Sequence, residues 1–192
     1  MVVAQGVEAG GHCRGDSPML PRLCEVLDAV EVPVLAAGGI ADARGVAAAL
    51  AAGASGVRMG TRFIATEESA AHAEYVAAIL TAGTNSTRIT DAFDNCPLCE
   101  SSPRARVLIS AIEAVDSIDV DVVGMMRGPD GEMPVPRRSW LPPTQNVSGN
   151  VEAMCMYAGE SVALVNDVLP ASRLVTSLAE GAEALIGAVQ RS

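Results

Sequence analysis

VPVLAAGGIADARGVAAALAAGASGVRMGTRFIAT, residues 32–66, decides the fold. Its apolar run at Val34, Leu35, Ala36 and Ala37 lacks polar alternation, as a strand covered on both faces requires. Gly38 and Gly39 follow directly. Asp42 is placed to cap a helix, and Val46, Ala47, Leu50 and Ala51 then recur at helical spacing. Gly53 stops that helix. Gly56, Val57, Arg58 and Met59 begin a second strand, which closes on Gly60 and Thr61. Strand, glycine turn, helix, strand and glycine turn make one βαβ unit. In parallel α/β folds ligands gather at the C-terminal ends of strands, where residues without side chains let backbone N–H groups approach an anion. Either glycine site alone is as well read as a tight turn; paired across one unit, they predict a phosphate site.

Working outward, residues 1–6 (MVVAQG) read as another buried strand, closed by the glycine-rich loop GVEAGGH at residues 6–12. Leu20, Leu23, Val26 and Leu27 set a helix within residues 18–29, and Pro33 marks entry to the next strand. Strand, helix, strand, helix, strand thus cover residues 1 to about 65, each strand ending in a glycine loop. A chain that opens inside a parallel sheet is expected to carry only the later strands of a larger one. Its 192 residues fall short of the roughly 250 typical of a complete (β/α)8 barrel.

Composition narrows the function. Hydrophobic residues make up 49% and aromatics 3%, which suits closely packed α/β layers. A net charge of −10 argues against nucleic acid, whose phosphates need a positive surface. No apolar run is long enough for a membrane span, and residues 1–11 lack the basic start of a signal peptide. Five cysteines, an odd number, fit a reducing compartment, and cytoplasm is the expected location.

The string AQGVEAGGH, followed by residues 32–69 and then His72, resembles the nitronate monooxygenase family, formerly the 2-nitropropane dioxygenases. The likeness is close over residues 2 to about 75 and resumes more loosely at residues 157–185. It implies the last three strands of an FMN-dependent TIM-type barrel over residues 1–75, a mostly helical substrate-covering region over 76–156, and C-terminal helices over 157–192. It implies that Gln5 and Gly10 lie beside the flavin, that Gly39 sits at the FMN phosphate, and that Arg58, Met59, Gly60 and Thr61 close around it. Thr61 would add a hydroxyl, and Arg58 or Arg62 a charge-assisted bond. His12 is implied as the base that abstracts a proton alpha to a nitro group, imidazole being suited to proton transfer near neutrality. Ser161 is implied as a substrate contact, and a helix cap is its alternative. The reaction implied is oxidation of an alkyl nitronate by O2 to a carbonyl compound and nitrite.

The glycine motifs are shared with FMN-containing enoyl-acyl-carrier-protein reductases, and Gln5 favours the monooxygenase branch. A reductase using a nicotinamide cofactor is one alternative; a non-catalytic remnant or a partner of a split barrel is the other. Three strands with two open edges are expected to bind FMN poorly and to be inactive or prone to aggregate, unless a missing N-terminal half or a homo-oligomer completes them.

The remaining chain is read from pattern. Val76 to Ala82 continues a helix, residues 84–90 are a strand or a loop, and residues 104–115 read as an amphipathic helix. Residues 118–123 alternate, and 129–149 are loop-like. Cys96 and Cys99 have CxxC spacing, but no further ligands at zinc spacing follow, so two free thiols are expected and no metal. His72 is read as part of a solvated helix face, and Arg137, Arg138 and Trp140 as solvated surface. Residues 162–168 and 174–189 are expected to be helices flanking Pro170.

Overall fold

The structure, a computed structural model, describes residues 1–96 and 104–191. Its first part runs β1 (Val2–Gln5), β2 (Gly11–His12), α1 (Met19–Ala29), β3 (Val34–Ala37), α2 (Ala43–Ala51), β4 (Gly56–Arg58), α3 (Thr61–Ile64) and α4 (Ala73–Thr81). Then come β5 (Thr87–Thr90), β6 (Ala105–Leu108), α5 (Ile109–Ser117), β7 (Val122–Gly128), β8 (Gly131–Pro136), β9 (Val147–Gly149) and α6 (Ala171–Val189). Short 3₁₀ turns occupy Val151–Ala153 and Glu160–Leu164. The fold is α/β.

The expected βαβ unit is present. β1, β3 and β4 form a parallel sheet in that order, with Ala36 opposite both Ala4 and Val57. β3, the middle strand, buries Val34, Ala36 and Ala37. Asp42 caps α2, its carboxylate accepting from the N–H groups of Arg44 and Gly45. α2 turns Val46, Ala47 and Ala49 inward, and these small residues let α6 approach. A Cβ on Gly181 would stand 2.7 Å from that of Ala43. Leu174, Leu178 and Ala182 of α6 thereby join Leu23, Val34 and Val46 in one core cluster. A fully buried Leu or Val contributes about 1.5–3 kcal/mol through lost contact with water. β1 is less buried than its sequence suggests: only Ala4 is covered, while Val3 and Gln5 are exposed. Among the described residues it is an edge strand, with a neighbour on one side only.

Residues 76–156 depart most from expectation: instead of a mostly helical region they hold five strands in two antiparallel sheets, ordered β2-β6-β5 and β8-β7-β9. The helix read over residues 104–115 is a strand, β6, running straight into α5. All four β6 residues are buried, so the alternation that marks a half-exposed strand is missing. Pro134 and Pro136 are compatible with β8 because β8 lies at a sheet edge, where a lost N–H donor breaks no ladder. The helix expected over residues 162–168 is only the 3₁₀ turn. Beyond it the chain is drawn out to reach Thr66: the Glu67 N–H donates to the Leu169 carbonyl (3.2 Å).

His72 starts α4, with Nδ1 accepting from the Glu74 N–H (3.3 Å). Arg137 and Arg138 are staples rather than solvated surface. Arg137 donates to the Val115 carbonyl (3.1 Å), and Arg138 to the Ala92 carbonyl (3.1 Å) and Asp116 (2.8 Å). Cys96 is disulfide-bonded, contrary to the expected free thiol; Cys99 lies outside the described residues. No described helix is long and apolar enough to cross a membrane.

Candidate functional site

The C-terminal ends of β1, β3 and β4 open on one side, as parallel strands must, and three loops leave them there. The loop after β1 is shaped by Glu8, whose carboxylate accepts from the Met19 N–H at 2.9 Å on each oxygen and so caps α1. The loop after β3 turns through Gly38 and Gly39, at φ of +103° and +72°, conformations that only glycine adopts without strain. A Cβ on Gly38 would stand 3.1 Å from the Ala9 nitrogen, so this turn packs directly on the first loop. The loop after β4 passes Gly60 into α3, whose first turn has no side-chain cap.

A fourth segment closes over these loops. The Gly159 N–H donates to Thr61 Oγ1 (2.9 Å, buried), and the Glu160 N–H to the Glu8 carbonyl (2.9 Å). Contact is close enough to demand glycine: a Cβ on Gly10 would lie 2.7 Å from the Ala158 carbonyl carbon and the Gly159 nitrogen. Behind it, buried Arg106 pairs with Glu160 (2.9 Å) and donates to the Val7 carbonyl (3.0 Å). That guanidinium ties the first loop to the closing segment.

Between these pieces lies a cavity of about 450 Å³, within the range of small-ligand and cofactor sites. Gln5, Gly10, Gly39, Arg58, Met59, Gly60, Thr61 and Ser161, all singled out from sequence, line it together. Arg62 does not join them. It is buried, and its guanidinium is held by Asp167 (2.7 Å to Oδ1, 3.1 Å to the carbonyl) and by the Ala65 carbonyl (3.3 Å). Thr61 spends one lone pair on Gly159 but keeps its O–H to donate. Ser161 is not a helix cap, since Gly159 holds that position in its 3₁₀ turn.

His12 is one side chain removed from the cavity lining. Its carbonyl accepts from Gln5 Nε2 (2.9 Å), and its ring meets that of Tyr157 at 5.8 Å between centroids, tilted by 47°. Tyr157 does line the cavity, as does Tyr75. Sequence reading missed both, although they are the only two tyrosines of the chain. The Tyr157 hydroxyl donates to the Trp140 carbonyl (2.6 Å), and the Tyr75 hydroxyl donates to the Tyr157 carbonyl. Burial pushes both phenols well above their ordinary pKa, with nearby Cys155 adding to the effect. Both therefore stay protonated donors. Burial also raises the Cys155 thiol, to about 12. The opposite wall, Pro142, Pro143 and Thr144, comes from the stretch read as a loop.

A family model described as nitronate monooxygenase matches residues 1–181. The nitronate monooxygenase of Pseudomonas aeruginosa is 35% identical over 93% of this chain and 50% of its own length. Among solved structures, the nitroalkane oxidase of Streptomyces ansochromogenes superposes with a TM-score of 0.71 at 30% identity, over 98% of this chain and 53% of that one. FabK from Thermotoga maritima gives a TM-score of 0.73 at 27% identity, over 98% and 56%. The chain spans about half the length of the curated relatives that match along most of it. It spans a smaller share, 27–29%, of the first two, which match over about half of it.

Proposed function

The chain belongs to the nitronate monooxygenase family, and on that premise we propose that it binds flavin mononucleotide in this cavity and serves the oxidation of alkyl nitronates by O2 to a carbonyl compound and nitrite. The observation that carries the reading is the charge of the cavity wall. In a chain of net charge −10, none of the described residues lining the cavity is acidic and one, Arg58, is basic. The field of the whole chain repels anions, so a locally cationic wall marks where one is held.

The residues fit a nucleotide phosphate. Gly38 and Gly39 turn through conformations that leave their backbone bare of side chains. Gly60 has no atom within 4 Å of where a Cβ would stand, which leaves room for a ligand against its backbone. The Arg58 side chain makes no hydrogen bond or ion pair with another described residue, so its guanidinium is available for a charge-assisted bond. Bound flavin would supply the electron transfer from nitronate to oxygen. The chain's own residues anchor and orient. Gln5 and Gly10 stand beside the ring system, Met59 and Thr61 flank the phosphate, and Ser161 faces the substrate. His12 takes the proton alpha to the nitro group when the substrate arrives as the neutral nitroalkane. Three parallel strands, each followed by a helix and each sending its C-terminal loop to the ligand, support reading residues 1–75 as part of a (β/α)8 barrel.

The test is product analysis. Flavin-loaded protein given preformed propane-2-nitronate should consume O2 and release nitrite and acetone. Oxidation of a nicotinamide cofactor by an enoyl thioester, without nitrite from nitronate, would replace this reading with the reductase one.

A further inference from the structure

We propose that Arg106 is a positioning residue, whose buried guanidinium holds the segment carrying Ser161 in register with the loop carrying Gly10. The inference deepens the flavin reading and rests on it for its cofactor readouts, but its primary test needs no ligand. β6 buries all four of its residues, and one of them is this arginine. A guanidinium keeps its charge inside a protein, so burial is tolerated only when the charge is paired and its N–H groups are met. Three separate pieces of chain meet them. Nε donates to the Val7 carbonyl (3.0 Å), Nη1 to Thr87 Oγ1 (3.3 Å), and Nη2 pairs with Glu160 (2.9 Å). The backbone at position 106 repeats the arrangement. It stands opposite Gly11 of β2 and Ile89 of β5, and its carbonyl accepts from the Ala158 N–H (3.3 Å).

Arg106 does not line the cavity, yet its partners flank residues that do. Val7 leads into Ala9 and Gly10, and Glu160 stands between Gly159 and Ser161. The two stretches meet backbone against backbone: a Cβ on Gly159 would lie 2.7 Å from the Glu8 carbonyl oxygen. Thr61 Oγ1 and the Glu8 carbonyl hold the closing segment through its Gly159 and Glu160 N–H groups (2.9 Å each). These are neutral bonds, about half as strong as the charge-assisted one that Arg106 adds. A planar fork fixes direction as well as distance. The guanidinium thus leaves the closing segment one position along the first loop, and through it one placement of Ser161.

Amide hydrogen exchange on the chain without ligand reads this placement directly. In Arg106→Lys the charge remains, but a compact ammonium cannot span the same three acceptors. The Gly159 and Glu160 amides should then exchange about 10- to 100-fold faster, the loss expected for one charge-assisted hydrogen bond. The amides of β3 should keep their rates. Glu160→Gln changes only a half-exposed side chain and should act in the same direction, so the test survives a lysine variant that folds poorly. Unchanged Gly159 and Glu160 rates in either folded variant would overturn the proposal. So would faster exchange that extends equally to β3, which marks general loss of stability. In flavin-loaded protein, Arg106→Lys should alter the visible circular dichroism of the bound ring. It should weaken FMN and riboflavin by the same factor, because Gly39, Arg58 and Gly60 at the phosphate end are not its partners. An unaltered spectrum or a changed FMN-to-riboflavin ratio would count against positioning at the ring. A parent chain that binds no flavin would refute the flavin reading and leave the amide result to judge Arg106.

Discussion

Replacing His12 with Gln should cut turnover of a neutral nitroalkane by about 10²- to 10⁴-fold, the usual contribution of a positioned base. Turnover of the preformed nitronate should change far less, because its alpha carbon has already lost the proton. Gln keeps a polar group of similar reach, and the Gln5 bond to the backbone carbonyl at position 12 (2.9 Å) does not involve the side chain. The substitution therefore removes proton acceptance while sparing the loop. O2 uptake and nitrite release, measured with both substrates at saturation, give the answer. Equal losses on the two substrates would show that His12 supports the cavity rather than taking a proton. No loss on either would remove it from the chemistry.

Two glycines that sequence treats alike should behave oppositely when given a methyl group. Gly10→Ala places a Cβ 2.7 Å from backbone atoms of Ala158 and Gly159. Neither can swing aside as a side-chain tip would, so the closing segment must shift, at about 1–3 kcal/mol of stability. Gly60→Ala meets nothing within 4 Å, at an ordinary φ of −107°. Its stability should stay within about 0.5 kcal/mol of the parent. The new methyl group should instead obstruct the phosphate: losing one charge-assisted bond of about 1.5–3 kcal/mol weakens FMN roughly 10- to 100-fold. Denaturant midpoints and FMN titrations on the same preparations separate the two effects. A destabilised Gly60→Ala with unchanged FMN affinity would reverse the assignment.

The parallel sheet and its loops were legible because their signals are local. Uninterrupted apolar runs, a capping Asp42 and glycines at the strand ends each follow from a few adjacent residues, and the eight site residues that the family resemblance adds to them line one cavity. The second half was misread for identifiable physical reasons. β6 is buried throughout, so a strand looked like the first turn of the amphipathic helix that follows it. The β7–β8 hairpin turns through Pro129, Asp130 and Gly131, the last at φ +121°. Proline, aspartate and glycine in that order are a turn signal in their own right, but the prolines of β8 that follow make the whole stretch resemble a loop. Tyr157 and Arg106 could not be found by spacing at all. Their partners lie far along the chain: Tyr75 and Trp140 for one, Val7 and Glu160 for the other. The rarity of tyrosine was the one sequence clue to Tyr157. Arg62 misled in the other direction, because nothing nearby in sequence reveals that Asp167 holds it inside.

The central claim is that the glycine-lined end of the cavity and Arg58 hold the phosphate of a flavin nucleotide. Titrating the same protein with FMN and with riboflavin, which differ only in that phosphate, tests it most directly. FMN should bind at least about tenfold tighter, and the difference should shrink in Arg58→Ala and as salt screens the exposed guanidinium. Equal affinity for the two flavins, unaltered by Arg58→Ala, would contradict it.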